Sequence, residues 1–435
     1  EFRTSDPDYY KWTQLIFIKL FESWYDKNQD KARPINQLIN IFCKSGNYNL
    51  NASSNKNIFQ FSADQWNEFN DDKKEEVLQD YRLAYLAESE VNWCSELGTV
   101  LANDEIVNGV SERGGYKIEK RSMLQWNMRI SAYADRLLND LDKIDWSTSM
   151  KETQRNWIGK SIGVSMKFNI FGHDDSIEVF TTRPDTIFGV SFMTLAPEHD
   201  LVLKISTNEK KDEVEKYIKF ASNRTEKDRI SEVKKITGVF TGAYAEHPIS
   251  KNKIPIWIGD YVLATYGTGA VMSVPCGDQR DYDFAKFFDI DIPNIFKDIN
   301  ISDQAFIDKQ GFKLKNSSFL DGLTFNEATD AIVAMLEKDN IGTKEINYRL
   351  RNAVFSRQRY WGEPFPVYYV NNIPKIIDKN YLPIKLPDVQ KYLPTESGEP
   401  PLGRAENWAW DVEENKIDEK QKIDNKKVFP IELNT

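Results

Sequence analysis

Hydroxyl and charged side chains alternate in residues 181–186 (TTRPDT), at the end of a predicted strand. Threonine hydroxyls both donate and accept hydrogen bonds, and an arginine can hold a phosphate or carboxylate through two parallel bonds. The segment could therefore bind part of a charged ligand. It could also be an ordinary turn, with Arg183 paired to Asp185 and the threonines bonded to the backbone. From the residues alone, the ordinary turn is the favoured interpretation.

Residues 266–285 (YGTGAVMSVPCGDQRDYDFA) predict a glycine-rich turn, a buried strand, a proline break and the start of a helix. Asp278 is placed to cap that helix, and Asp281 lies one turn later on roughly the same face. Two carboxylates there could bind the ammonium group of a ligand. They also suit an exposed helix end, which the residues alone favour. Cys276 has no histidine close in sequence, so we expect a small buried residue rather than a nucleophile.

A basic and aromatic segment, residues 356–362 (SRQRYWG), follows Arg349 and Arg351. With Arg357 and Arg359, these arginines suit a polyanion whose bases can stack on the Tyr and Trp rings. A packed aromatic turn with solvated arginines is an equally good interpretation. Elsewhere, VNWCSELGTVLAN at positions 91–103 predicts only a strand, a turn and a second strand.

The elements that position these segments differ along the chain. Short β-rich stretches dominate from residue 162 to about 295. The predicted strands there are Ile162–Phe171, Ile177–Thr181, Val190–Ala196, Ile254–Ile258, Tyr261–Thr265 and Ala270–Val274. Helices are predicted near 209–221, 280–288 and 325–338. The simplest organisation is a β-rich domain inserted between two pieces of a larger α/β domain.

Helical patterns dominate the first part of the chain. One helix is predicted from Asp6-Pro7 to about Tyr25, and a second over 71–90. The clearest pattern covers 121–142, where apolar residues recur at helical spacing. Residues 28–70 are rich in Asn, Ser, Lys and Gln, and we expect them to form a polar surface insertion.

Length, charge and composition argue against several classes of protein. A chain of 435 residues exceeds the size at which one hydrophobic core usually stops growing, so we expect at least two packed units. The net charge of −10 excludes a globally basic nucleic-acid binder but not a local basic groove. Three scattered cysteines and three histidines argue against a disulfide framework and a histidine metal site. We expect a cytoplasmic protein, and both ends have the character of an internal fragment.

Six segments, taken in order, resemble motifs of leucyl-tRNA synthetases of the bacterial type. They are VNWCSELGTVLAN, QRNWIGKS (154–161), TTRPDTIFG, YGTGAVMSVPCGDQRDYDFA, NYRLR and SRQRYWGEPFP. Isoleucyl and valyl enzymes share the TTRP start and the GTG strand, but they usually carry Trp where Asp185 stands. They also lack the DQRDY form. The resemblance therefore points to leucine.

This resemblance implies an α/β fold in which parts of a Rossmann-like class I synthetase domain are interrupted by an inserted, β-barrel-like α+β editing domain. Residues 1–159 would belong to the aminoacylation domain and its connecting segments, and 346–435 would return to it. Residues 160–345 would be the editing domain. That domain would hydrolyse mischarged aminoacyl-tRNA(Leu) by attack of water on the aminoacyl ester.

The resemblance also implies roles for single residues in catalysis and substrate binding. Asp281 would bind the α-ammonium group of the substrate, and Asp278 would brace its loop. Thr181 and Thr182 would hydrogen-bond the ester, the ribose or a positioned water. Thr186 would lie against the amino-acid side chain and exclude leucine.

Further contacts with the substrate and the tRNA are implied in the same way. Val274 would line the substrate site, and Tyr266 would close its adenosine side. Arg183 would hold the tRNA end, with Asp185 orienting it. The arginines of the SRQRYWG segment, Arg357 and Arg359, would also contact the tRNA.

The sequence departs from the family pattern at several points. The HIGH and KMSKS signatures are absent, so we do not expect this chain to activate leucine with the ATP and Mg of the intact enzyme. Cys94 lacks the partner cysteines of a zinc module, and no metal is expected. Gly277 stands where many relatives carry His. The expected partner of a monomeric protein is tRNA(Leu) with its mischarged end, without DNA or a membrane.

Three other interpretations stay open. The chain could be a tRNA-binding fragment without hydrolysis, because its charge and missing synthetic half would weaken tRNA contacts. It could be the editing domain of an isoleucyl or valyl enzyme, which Asp185 disfavours. An unrelated α/β scaffold protein would require all six matches to be accidental.

Overall fold

Two compact units make up the chain. The computed structural model describes residues 3–55, 58–107, 109–222, 224, 229, 236–263, 267–392 and 400–435. The first unit comprises Glu1–Ile158 and Leu350–Thr435, and the second comprises Gly159–Arg349. The first unit is thus built from two separate stretches of sequence.

Residues up to 158 form both helices and strands. The helices are α1 (Pro7–Phe21), α2 (Ile35–Ser45), α3 (Ala63–Glu68), α4 (Asp71–Gln79), α5 (Ala134–Asp140) and α6 (Thr148–Ile158). The strands are β1 (Ser23–Asp26), β2 (Lys31–Pro34), β3 (Ala84–Cys94), β4 (Thr99–Leu101), β5 (Ile106–Val107), β6 (Val110–Ser111) and β7 (Glu119–Met128). Pro7 begins α1 in the first-turn position that proline favours, as predicted.

The second unit contains two sheets and four described helices. The strands are β8 (Lys160–Asn169), β9 (Ser176–Thr181), β10 (Phe192–Leu195), β11 (Val239–Glu246), β12 (Lys253–Ile258), β13 (Ala270–Ser273) and β14 (Gly342–Tyr348). The helices are α7 (Leu201–Ile205), α8 (Lys211–Ser222), α9 (Gln279–Phe287) and α10 (Phe325–Lys338). Five of the predicted strands and all three predicted helices of this region are present, whereas β11 and β14 were not predicted.

The remainder of the first unit is β-rich. Its strands are β15 (Ala353–Val354), β16 (Val367–Val370), β17 (Ile373–Ile376), β18 (Ala409–Asp411), β19 (Lys416–Asp418) and β20 (Val428–Pro430). The strand β15 joins β7, β3 and β4 in a four-stranded sheet. Strands β16 and β17 form a hairpin, and β18 lies between β19 and β20.

Strand direction corrects one part of the predicted fold. The mixture of helices and sheets agrees with the α/β class. However, every strand pair among the described residues of the first unit is antiparallel. Parallel strands need long crossover connections, and this unit joins its neighbouring strands by short turns or by distant returns of the chain. Its described strands therefore do not form a Rossmann-like parallel sheet.

The helix predicted over 121–142 is wrong in its first half. Residues 119–128 form β7, which pairs with β3 from Trp93↔Glu119 to Ala84↔Met128. The helix α5 begins only at Ala134. Burial in this strand is confined to its end, around Trp126, which has no exposed surface, and it does not alternate from residue to residue. Pairing with a distant strand outweighs the local helical pattern.

The prediction of a polar surface insertion at 28–70 is also wrong. This stretch forms β2, α2 and α3 around an aromatic cluster. Phe42, Phe61 and Trp66 are almost fully buried there, and their rings lie 4.8–5.4 Å apart. Aromatic side chains bury enough area to build a small core without regular periodicity. Their spacing, which follows no single helix or strand, hid this core among polar neighbours.

The second unit places two loops at one site. Its three-stranded sheet has the order β14-β8-β9, and its four-stranded sheet has the order β11-β12-β10-β13. In the second sheet β10 runs parallel to β12 and antiparallel to β13. The chain leaves β9 into the segment 181–189 and leaves β13 into the segment 274–278. Both segments are therefore held by strands of the same core.

Candidate active site

The two loops of the second unit pack against each other. A Cβ atom on Gly189 would lie 3.0 Å from Sγ of Cys276 and 3.1 Å from Cγ1 of Val274. Such distances are too short for a side chain without movement of these neighbours. A Cβ atom on Gly277 would lie 3.8 Å from the methyl carbon of Thr186. The segments 181–189 and 274–278 thus form one continuous surface.

The turn 181–186 satisfies most of its own polar groups. Arg183 donates from Nε to Asp185 Oδ1 and from Nη2 to Asp185 Oδ2, both at 2.9 Å. The Thr181 hydroxyl accepts from the Arg183 backbone N–H at 3.0 Å. The Thr186 hydroxyl donates to the Arg183 carbonyl at 2.8 Å. These are the pairings of the ordinary-turn interpretation.

Burial differs sharply within this turn. Asp185 has no exposed surface, and its burial raises the pKa of the carboxyl although the Arg183 guanidinium opposes the shift. Thr186 is also buried. Thr182 is exposed, and among the described residues its hydroxyl makes no hydrogen bond. The Thr182 hydroxyl is therefore accessible to a ligand, whereas the Asp185 carboxylate is enclosed and bonded to the Arg183 guanidinium.

Helix α9 begins at the second loop. The Asp278 carboxylate caps it by accepting from the N–H groups of Arg280 and Asp281, at 2.9 and 3.3 Å. Its side chain keeps 42% of its surface exposed. The predicted capping role is therefore present, and one side of the carboxylate still faces solvent.

Asp281 is buried, which corrects the interpretation of an exposed acid. Its Oδ2 accepts from the Val274 N–H at 2.8 Å, and its Oδ1 accepts from the Tyr261 hydroxyl at 3.2 Å. Burial, followed by repulsion from Asp278, raises the pKa of Asp281 to about 7. A carboxylate offers about four lone-pair sites, so two remain for a ligand.

Three further predicted residues belong to this region of sequence. Val274 is buried, and its backbone N–H orients Asp281 as described. Tyr266, which was expected to close the adenosine side, lies outside the described residues. Cys276 is a small buried residue as predicted, and burial raises the pKa of its thiol to about 11. Since the thiolate is the reactive form, Cys276 is unsuited to be a nucleophile.

Sequence reasoning missed two residues that support the site. His247 places Nε2 3.0 Å from the carbonyl of Ile187, and its Nδ1 accepts from the N–H groups of Ile249 and Ser250. It thereby fixes the end of the turn that carries Thr186. Burial lowers the pKa of His247, which keeps the ring neutral. The signal was a His-Pro pair in the turn between β11 and β12.

Tyr261 is the second missed residue. Besides its contact with Asp281, its hydroxyl lies 3.0 Å from the Thr194 hydroxyl, and that hydroxyl lies 2.9 Å from the Ser273 hydroxyl. These three side chains come from the loop after β12 and from the neighbouring strands β10 and β13. Only the strand order of the sheet brings them together.

Comparison with known proteins agrees with these motifs. A family profile described as "Leucyl-tRNA synthetase, editing domain" matches residues 155–337. Leucine–tRNA ligase of Christiangramia forsetii is 62% identical over 417 residues, which is 96% of this chain and 43% of that protein. Leucine–tRNA ligase of Flavobacterium johnsoniae is 60% identical over 440 residues, covering 100% of this chain and 46% of that protein.

Over nearly its whole length the chain aligns with part of leucine–tRNA ligases, and residues 155–337 match the leucyl-tRNA synthetase editing domain. The chain spans a little less than half the length of these curated relatives. A solved structure is also similar, the ternary complex of Agrobacterium radiobacter K84 agnB2 LeuRS with tRNA and LeuAMS. Its TM-score is 0.61 at 30% identity, covering 81% of this chain and 40% of that one. The leucyl-tRNA synthetase editing-domain match includes both loops of the site.

The arginines predicted to contact tRNA, Arg357 and Arg359, lie in the first unit. Arg359 pairs with Glu105 at 3.1 Å, and Arg357 donates from Nη1 to the Ser356 carbonyl at 2.9 Å. A cavity of about 540 Å³ beside Arg359 is lined by Trp361. The Trp361 ring is 68% exposed and stacks on Tyr392 with centroids 5.7 Å apart.

Across the part of the chain that is described, no group of three His, Cys, Asp or Glu side chains is arranged to hold a metal ion. No helix within the described ranges combines the length and the apolar character needed to cross a membrane.

Proposed function

We propose that residues 160–345 form an editing domain that hydrolyses the ester of mischarged aminoacyl-tRNA(Leu). The observation that carries the proposal is the meeting of the turn 181–186 with the start of α9. There a Cβ atom on Gly277, which precedes the Asp278 cap, would touch the Thr186 methyl carbon. The start of α9 carries the buried Asp281 carboxylate, and the turn carries the exposed Thr182 hydroxyl. The editing-domain profile and the leucine–tRNA ligases among the relatives support the same activity.

The physical need for this reaction lies in the limits of a single binding pocket. One methylene or a shifted branch changes binding by only about 10–200-fold, which is too little for accurate translation. A second site that hydrolyses wrong products removes that limit. Its substrate would be an amino acid esterified to the terminal ribose of the tRNA, with an ammonium, an ester carbonyl and ribose hydroxyls to be recognised.

Substrate recognition would rest on charge and on shape. Asp281 would bind the α-ammonium group, because an ionised carboxylate in a desolvated pocket attracts a cation strongly. The Thr186 methyl group, which faces Gly277, would exclude the leucine side chain. Val274 would line the same pocket. Asp278 would hold the helix end in place through its cap.

The tRNA end would be bound around this pocket. Arg183, oriented by Asp185, would contact the terminal nucleotide through the guanidinium edge that the ion pair leaves free. Tyr266 would close the adenosine side. In the first unit, Arg357 and Arg359 would add contacts to the tRNA beside the exposed Trp361 ring.

Hydrolysis would proceed by direct attack of water. The water oxygen bonds to the ester carbon, the bond from that carbon to the ribose oxygen breaks, and the ribose oxygen ends with a proton. Thr181 and Thr182 would position the water or the ester by hydrogen bonds. A protein nucleophile is not needed, and the raised pKa of Cys276 disfavours the nearest candidate.

The remaining parts of the chain would serve the longer enzyme. Residues 1–159 and 346–435 would be pieces of an aminoacylation domain that uses ATP and Mg to join leucine to tRNA. Without HIGH and KMSKS, this chain would not perform that step, and it would need no zinc. We also propose a cytoplasmic, monomeric protein whose partner is tRNA(Leu).

The experiment compares hydrolysis of isoleucyl-tRNA(Leu) and leucyl-tRNA(Leu) by the purified chain. Selective cleavage of the isoleucyl ester would support an editing hydrolase. If a folded protein at high concentration cleaves neither ester, independent hydrolysis is contradicted. A filter-binding assay with the same tRNA would then test the alternative of a tRNA-binding fragment.

A further inference from the structure

A directed chain of hydroxyl groups ends at the Asp281 carboxylate. The phenol of Tyr261 has one proton, and the structure gives it to Asp281 Oδ1 at 3.2 Å. Thr194 must then donate to the Tyr261 oxygen, at 3.0 Å. Ser273 in turn must donate to Thr194, at 2.9 Å. Each hydroxyl polarises the next, which strengthens the last bond to the carboxylate.

The two donors of Asp281 fix its plane from opposite ends. The Val274 N–H bonds Oδ2 at 2.8 Å, and the Tyr261 hydroxyl bonds Oδ1. Hydrogen bonds to the charged form of an acid favour that form, which opposes the cost of burial. The Val274 N–H belongs to the backbone, so a substitution does not remove it. The Tyr261 hydroxyl is the donor that a substitution can remove.

We infer that Tyr261 is a positioning residue that holds Asp281 ionised and correctly oriented for the α-ammonium group of the substrate. The inference rests on the proposed function, since it concerns the same carboxylate. The charged side chains that act on Asp281 are Asp278, the cap of its helix, and Arg280 in the first turn of that helix. From β10, β13 and the loop after β12, the described groups that complete this cluster are the hydroxyls of Thr194, Ser273 and Tyr261.

A phenylalanine at position 261 tests this role with little disturbance of packing. The Tyr261 ring contacts Phe284 at 5.7 Å between centroids, and Phe keeps that contact. Thr194 and Ser273 remain bonded to each other. The matched control is Tyr217→Phe, which removes another buried hydroxyl with two hydrogen bonds, to Thr237 and to the Asp260 N–H. Tyr217 does not contact Asp281.

The measurement is calorimetric binding of two stable ligands to the whole chain. One is 3′-amino-3′-deoxyadenosine carrying norvaline through an amide, and the other is its analogue without the α-amino group. The wild type should prefer the ammonium-bearing ligand. Tyr261→Phe should weaken that ligand about tenfold, because a hydrogen bond to a charged group is lost, and leave the other ligand unchanged. Tyr217→Phe should change neither.

The outcomes separate this inference from the proposed hydrolysis. Equal weakening of both ligands by Tyr261→Phe, or no weakening, would overturn the positioning role, as would a wild type that does not prefer the ammonium. Loss of the preference in Tyr261→Phe supports the role even if the chain cleaves no ester. A Thr194→Val variant, which shortens the hydroxyl chain, should give a smaller effect in the same direction.

Discussion

The carboxylate of Asp185 lies completely buried against the guanidinium of Arg183, and the two groups share a pair of 2.9 Å hydrogen bonds. Asp185 has no exposed side-chain surface, whereas Arg183 keeps 15%. The acid is thus enclosed, and the base reaches the surface of the loop. Because Asp185 is enclosed, it can hold the Arg183 guanidinium in one orientation. The stability of each charged group then depends on the presence of the other.

Removal of Arg183 should therefore destabilise the second unit. Arg183→Met leaves a buried charge without its partner, which typically costs about 3–5 kcal/mol. The double variant Arg183→Met/Asp185→Asn should recover a large part of that loss, because no charge remains buried. Urea unfolding measures both. Lys251→Met, which breaks the exposed pair with Glu246, is the control and should cost less than about 1 kcal/mol.

Asp281→Asn should lower hydrolysis of isoleucyl-tRNA(Leu) at least about 100-fold while the protein stays folded. The amide has nearly the shape of the carboxylate but no charge to bind the ammonium group, and loss of substrate positioning alone can have this size. Asp283→Asn removes an exposed carboxylate on the same helix and should keep the wild-type rate. A rate in Asp281→Asn close to the wild type would remove Asp281 as the ammonium anchor.

Stability should also depend on pH through Asp281. Its pKa rises from 3.8 to about 7 on folding, so between these values the folded state binds more protons than the unfolded state. The resulting contribution is present at low pH and is lost as the pH rises through about 7. The unfolding free energy of the wild type, relative to Asp281→Asn, should fall between pH 5 and pH 8. A flat difference would show that Asp281 titrates normally.

Thr186 carries two separable features, a methyl group and a hydroxyl bonded to the Arg183 carbonyl. If the methyl group excludes leucine, Thr186→Ala and Thr186→Ser should both begin to cleave leucyl-tRNA(Leu). Thr186→Val keeps a methyl group and loses the hydroxyl, so it should still spare leucine. Single-turnover hydrolysis of leucyl-tRNA(Leu) distinguishes these cases. Cleavage by the Val variant alone would instead assign specificity to the hydrogen bond.

Binding of tRNA by the first unit can be tested at Arg359 and Trp361. Arg359→Ala should weaken binding of tRNA(Leu) and reduce its salt dependence by about one phosphate contact. Trp361→Ala should cost about 1–3 kcal/mol if a base stacks on the exposed ring, without changing the salt slope. Arg136→Ala alters an exposed arginine paired with Asp140 and serves as the control. Unchanged affinity in both variants would leave the cavity beside Trp361 without a role in tRNA binding.

Local signals predicted some features correctly. Asp278 stands before a helical pattern and caps α9, and Cys276 lies in an apolar stretch and is buried. Asp281 was misjudged because its burial depends on Tyr261, which lies 20 positions away and meets it only in the folded sheet. The segment 121–128 was misjudged because its partner strand begins at Ala84. Features that depend on neighbouring residues in the sequence could be predicted from the sequence. Features that depend on contacts between distant segments could not.

The pairing of β8 with β14 has a consequence for how the chain can fold. These strands open and close the second unit, and they run antiparallel from Lys160↔Tyr348 to Met166↔Gly342. Hydrogen-bonded strands lie about 5 Å apart, so the two ends of a long inserted segment are held almost together. Once that ladder forms, Ile158 and Leu350 are connected as if by a short loop, as their 3.1 Å backbone hydrogen bond illustrates. Folding of the second unit therefore bears the entropic cost of closing the long loop between residues 158 and 350. The two stretches of the first unit can then meet as if only a few residues separated them in the chain.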